Sequence, residues 1–207
     1  PGTMQCRWGC RLSVCPQVLP QELTYDPIRD AGNAHARYEF AGANFALRRS
    51  VARMVGNFDE LLGGGALYGS SEDLDYMLRI EAAGVRMRST PASVVHHTYG
   101  TRLGLSAVFR HRRSYAVGQG ALAAKLTLNG DPRGQVWLNA VRDDLLSTLK
   151  ERRLHRSPNA LVRYLYVLRT YRKCIKHHAV DSTTGLYADA ELHPPVPVSL
   201  GYRGPIP

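Results

Sequence analysis

With 207 residues, 44% hydrophobic and 21% charged, the chain has the make-up of a globular protein and can bury the core of one or two domains. No run reaches the roughly 18 apolar residues of a membrane-spanning helix, and PGTMQCRWGC lacks the apolar stretch of a signal peptide, so the reading is a cytosolic chain with an incomplete N-terminus. The net charge of +10 lies entirely in the second half: residues 1–100 balance ten basic against ten acidic side chains, whereas 101–207 hold seventeen against seven.

In chain order, residues 1–36 read as irregular, with prolines at 16, 20 and 27 and a turn signal at Asp30–Asn33. Cys6, Cys10 and Cys15 are spaced C-x3-C-x4-C, which lacks the paired C-x2-C of common zinc sites; with Cys174 they read as reduced thiols. Residues 37–50 suggest a strand interrupted at Gly42, where another group can approach the backbone closely. Ser50 is placed to cap a short helix that Gly56 stops. Gly63-Gly64-Gly65 predicts a mobile loop, since three glycines are costly to order. Residues 101–128, 135–154 and 157 to about 178 predict three helices, the first weakened by Gly118 and Gly120. From Asp181 onward the chain has no period and carries five prolines between Pro194 and Pro207, which predicts an extended or disordered tail.

The chemistry concentrates in residues 69–100. Leu74, Met77, Leu78 and Ala82 have helical spacing, Gly84 ends the helix, and an extended segment then delivers His96 and His97. Ser70 and Asp73 match a capping box, which is one reading of Asp73. The other is a general base: a helix N-terminus favours negative charge, and a carboxylate there can take a proton from a hydroxyl. Asp73-Leu74-Asp75 spells D-x-D, yet residues i and i+2 of a helix point about 200° apart, so the two cannot share one cation. His96 and His97 face opposite sides of an extended segment, so at most one joins a given site.

GANFALRR (42–49), VGNFDE (55–60), SEDLDYMLRIEAAGVRM (71–87), TPASVVHH (90–97) and RRSYAVGQG (112–120) occur in an order that resembles the acceptor-side half of family 2 glycosyltransferases, inverting enzymes with a GT-A fold. The resemblance implies an α/β fold class: residues 1–100 as the C-terminal portion of a GT-A domain, 101–180 as a basic helical extension and 181–207 as a Pro-rich tail. It implies Asp73 as catalytic base flanked by Glu72, with Asp75 and Arg79 at positions often acidic and basic. Gly42, Ala43 and Asn44 would line the acceptor pocket, with Arg48 nearby; separately, the basic cluster of Arg110, Arg112 and Arg113 offers contacts to a phosphate of acceptor or donor. His97, 24 residues after Asp73, is the implied ligand of a divalent cation (Mn2+ or Mg2+) on the nucleotide diphosphate, in preference to His96.

The nucleotide-binding half with its strand-end D-x-D has no counterpart before residue 37, so the expectation is a fragment, inactive alone, whose metal ligands lie mostly in the absent half. The processive Q-x-x-R-W motif is missing, which favours adding a single sugar from a nucleotide-sugar donor to a cell-surface glycan or lipid-linked acceptor. Leu161, Leu165 and Leu168 predict the packed face of a helix whose basic residues face solvent, or an anionic membrane, with location on the inner face of the plasma membrane. A non-catalytic module binding anionic lipid or nucleic acid is the alternative, although no nucleic-acid motif is present. A hydrolase using Asp73 and His97 lacks a nucleophile or a complete metal set.

Overall fold

The computed structural model describes residues 3–5, 11–13, 22–27, 42, 44–93, 105–151 and 157–188. Ala43, His96, His97, the three N-terminal cysteines and the tail beyond residue 188 lie outside them. The described part is mostly helical, with two small antiparallel sheets. Strands β1 (Thr3–Gln5) and β2 (Arg11–Ser13) pair with each other. Strand β3 (Leu23–Tyr25) pairs with β4 (Met87–Ser89), Leu23 opposite Ser89. The first 36 residues thus contain three short strands where sequence pattern suggested none: three-residue strands are too short to show a period.

Residues 45–48 are not the predicted strand, and helix α1 (Arg49–Val55) follows them directly. It starts before Ser50, with Arg48 as N-cap, and ends at Gly56, whose φ of 81° only glycine adopts easily. Helix α2 (Glu72–Ala82) carries three acids in its first turn, which suits the helix dipole. Its two buried sides join different neighbours. Met77 and Leu78 pack on Leu122 and Leu126, while Tyr76 and Ile80 pack on Val55.

Helices α3 (Leu105–Leu128), α4 (Arg133–Lys150) and α5 (Ser157–His177) form an up-down-up bundle. Gly134 meets Ala123 and Thr127 at one end of the α3–α4 contact, and Val141 meets Ala116 towards the other, so α4 runs back along α3. Ala116, Val141 and Val167 form a shared layer, and Cys174 packs on Ala121 and Ala124, so α5 runs in the direction of α3. Gly118 and Gly120 do not break α3. A Cβ at Gly120 would lie 2.4 Å from the carbonyl oxygen of Val167, and one at Gly118 would lie 2.1 Å from Ser70 Oγ. Both are places where another backbone comes close.

On α5 the buried residues are Val167, Thr170 and Cys174. Leu161 and Leu165, expected to be inside, are 47% and 55% exposed. The helix has two apolar stripes, and the one without leucines is the one that packs.

Candidate active site

The segment leading into α2 is clamped onto α3. Ser114 Oγ donates to the carbonyl of Gly69 (2.9 Å), and Ser70 Oγ donates to the carbonyl of Tyr115 (3.3 Å). Ser71, the N-cap, has φ of 78° and makes no side-chain cap bond, so the expected Ser70–Asp73 capping box does not form. The left-handed turn at Ser71 replaces it.

Asp73 is thereby freed from the capping box, though it still holds one N–H of the first turn. Its half-buried carboxylate accepts from Gly42 N–H through Oδ2 (3.1 Å) and from Leu74 N–H through Oδ1 (2.8 Å). A Cβ on Gly42 would sit 2.9 Å from Asp73 Cβ, so glycine is what allows this approach. Asn44, two residues on, is tied to Ser93 by a reciprocal pair: Nδ2 donates to the Ser93 carbonyl (2.9 Å), and Ser93 Oγ donates to Asn44 Oδ1 (3.1 Å). Gly42, Asn44, the start of α2 and the turn after β4 therefore converge on one place.

Glu72 is half-buried over the glycine loop. Burial, with the neighbouring Asp73 charge adding and its own backbone hydrogen bond opposing, raises its carboxyl above the usual value. A Cβ at Gly63, where φ is 113°, would lie 3.2 Å from the Glu72 side chain. The loop predicted to be mobile is held: Gly63 N–H donates to the Tyr68 carbonyl and Tyr68 N–H to that of Leu61, each at 2.9 Å, with Leu61 and Leu62 buried.

Arg48 is exposed, and its carbonyl accepts the first hydrogen bonds of α1 from Val51 and Ala52. Arg112 is exposed on α3, while the guanidinium of Arg113 lies 5.2 Å from the centre of the Tyr166 ring on α5. Asp75 takes no part in the Asp73 cluster. It is buried, with Lys125 Nζ on Oδ1 at 2.6 Å and Arg79 Nε on Oδ2 at 3.0 Å. The two carboxylates of D-x-D thus serve different sites, as helical geometry requires.

Lys125 is the residue that sequence reasoning missed. It is 2% exposed and also contacts Asp59 Oδ2 at 2.6 Å. Asp59 in turn accepts from the Tyr187 and Leu61 N–H groups, and Arg79 donates to the carbonyls of Val55 and Asn57. A lysine inside Ala121–Leu126, an otherwise apolar run, was the available signal, although it names no partner. Burial raises the Tyr187 hydroxyl pKa far above its usual value, and that hydroxyl donates to the Ala121 carbonyl (2.7 Å). A small cavity lined by Asp75, Arg79, Lys125 and Arg133 lies behind α2, and Asp73 does not line it.

Residues 25–175 match the sequence profile of the Glycosyl transferase family group 2. The chain belongs to this family. Membership of family 2 implies transfer of a sugar from a nucleotide-sugar donor to an acceptor. No curated protein and no solved structure matches the chain. Family 2 enzymes are commonly metal-dependent, but among the described residues no group of three or more His, Cys, Asp or Glu could hold an ion. The described residues of this family 2 chain therefore hold no such cluster, and His97 lies outside them.

Proposed function

We propose that this chain is the acceptor-side half of an inverting family 2 glycosyltransferase of GT-A type, with Asp73 as general base. The acceptor hydroxyl gives its proton to Asp73 as its oxygen bonds to the anomeric carbon, and the bond from that carbon to the nucleotide diphosphate breaks. General-base help of this kind contributes about 10²–10⁴-fold. Glu72 flanks the base. Gly42, Ala43 and Asn44 form the acceptor wall, with Arg48 at its margin and Arg112 and Arg113 as candidates for a phosphate. His97 is the ligand this chain would offer to a divalent cation.

In the same proposal, residues 1–100 hold the catalytic part, 101–180 a basic helical extension and 181–207 a tail. The reaction adds a single sugar to a cell-surface glycan or glycolipid at the cytoplasmic side of the plasma membrane, and the chain alone turns over little.

The observation that supports the reading best is the Asp73 carboxylate. It is partly open to solvent, stands outside the expected Ser70 capping box although its Oδ1 accepts from Leu74 N–H of its own helix, and has its Oδ2 on Gly42 N–H. Asp73→Asn keeps an oxygen to accept that hydrogen bond and removes only the basicity. In the full-length protein it abolishes transfer, while titration calorimetry still detects donor binding. Turnover retained in that variant refutes the base assignment.

A further inference from the structure

The outward side of α5 has no role in the site. Leu161, Leu165, Leu168, Arg172 and Lys176 fall at i, i+4, i+7, i+11 and i+15, one stripe of a 21-residue helix about 31 Å long. Arg169 and Ile175 flank it. The stripe points away from Val167, Thr170 and Cys174, which face the bundle. Leu161 is 47% exposed, Leu165 55% and Ile175 37%, and Arg169, Arg172, Lys173 and Lys176 are all exposed. The helix contains no acidic residue. Arg163, on a different side, is occupied by Asp144 of α4 and Gln119 of α3.

Cations near the end of a helix suit its dipole, but that accounts for nothing about Leu161 and Leu165 left in water, with Leu168 only half-buried. The combination fits one class of surface. We infer that the outward stripe of α5 docks on an anionic lipid bilayer, its leucines entering the headgroup–acyl boundary and its arginines and lysines meeting lipid phosphates. Interfacial helices bind by burying an apolar face while their cations attract anionic lipid. A nucleic acid would answer the cations and leave the leucines unburied. A second copy of the same helix would answer the leucines and supply no negative charge. The helix lies on the surface and does not span: among the described residues no helix is long and apolar enough to cross a membrane. This inference rests on the membrane location in the proposed function but uses no step of sugar transfer, so loss of vesicle binding and loss of turnover are read in separate experiments.

The test is flotation of this 207-residue chain with vesicles of phosphatidylcholine, alone or with about one-third phosphatidylglycerol. Binding to the anionic vesicles is expected, weakening as salt rises, with little binding to the neutral ones. Leu161→Asp with Leu165→Asp lowers it at least about tenfold. Arg172→Gln and Lys176→Gln each lower it about fivefold. Val136→Asp, at a residue 55% exposed on α4, serves as control and leaves binding unchanged. Circular dichroism confirms that each variant keeps its helices. Equal vesicle binding by the double leucine variant overturns the inference. So does tighter binding to duplex DNA than to vesicles, or a loss of dimers in the leucine variants with vesicle binding intact.

Discussion

Asp73 and Gly42 depend on each other at the scale of single atoms. The carboxylate reaches Gly42 N–H only because no Cβ stands between them, and a methyl there would meet Asp73 Cβ at 2.9 Å. Gly42→Ala therefore pushes the carboxylate aside without removing it. The expected result in the full-length protein is about a 10²-fold fall in kcat, the usual consequence of misplacing a catalytic group by about 1 Å, with the thermal unfolding midpoint little changed. Wild-type kcat in this variant would show that the contact positions nothing. Glu72 supplies a pH prediction. Its folded carboxyl titrates above 4.5, so its contribution to stability is fully present below about pH 4.5 and is lost as pH rises through the folded value. Glu72→Gln cannot ionise. It is expected to be more stable than wild type in urea at pH 7.5, and the difference should vanish near pH 4. Asp73 and its acidic neighbour were legible in the sequence as a pair. The failure of the capping box was not, because it turns on the left-handed backbone at Ser71, and serine does not announce that conformation.

One buried charge ties three elements together. Lys125 of α3 joins Asp75 of α2 to Asp59 in the loop after α1, and Arg79 extends the set to the carbonyls of Val55 and Asn57. Removing the lysine alone leaves two carboxylates buried beside each other. Lys125→Met is accordingly expected to cost about 3–5 kcal/mol, read from urea unfolding, since breaking a buried pair costs far more than the pair contributes. A loss below 1 kcal/mol would mean that water reaches the cluster. Gly120→Ala tests a second inter-element contact. Its methyl would stand 2.4 Å from the Val167 carbonyl oxygen, so α3 and α5 must separate, at about 1–3 kcal/mol. Helical period located α2 to α5 within a few residues. It could not say which side of α5 faces inward, because Leu161, Leu165 and Leu168 make the more apolar stripe while Val167, Thr170 and Cys174 make the better-fitting one. Packing against the small residues Ala116 and Gly120 decided that, and those lie some fifty residues away.

Across the whole molecule, chemistry and cohesion follow different boundaries. The proposed catalytic part ends near residue 100, yet the 59–62 loop, α3 and Tyr187 share one cluster. Tyr187 closes it: its N–H donates to Asp59, its hydroxyl donates to Ala121, and its ring lies 5.7 Å from Lys125 Nζ. Nothing in the sequence from Asp181 onward suggested such a role, because a single aromatic in an aperiodic segment has no pattern to betray it. The expected consequence is that residues before and after 100 unfold together. Tyr187→Ala empties a site 2% exposed and should cost about 3–5 kcal/mol, as large aromatic truncations do. Native-state hydrogen exchange distinguishes the outcomes. If the molecule is one cooperative unit, the slowest amides of α2 and α3 lose protection by the same factor in this variant, because both exchange through the same global opening. If α3 loses protection and α2 keeps its own, the halves are separate folding units, and the Asp59–Lys125–Asp75 cluster is a docking contact between them.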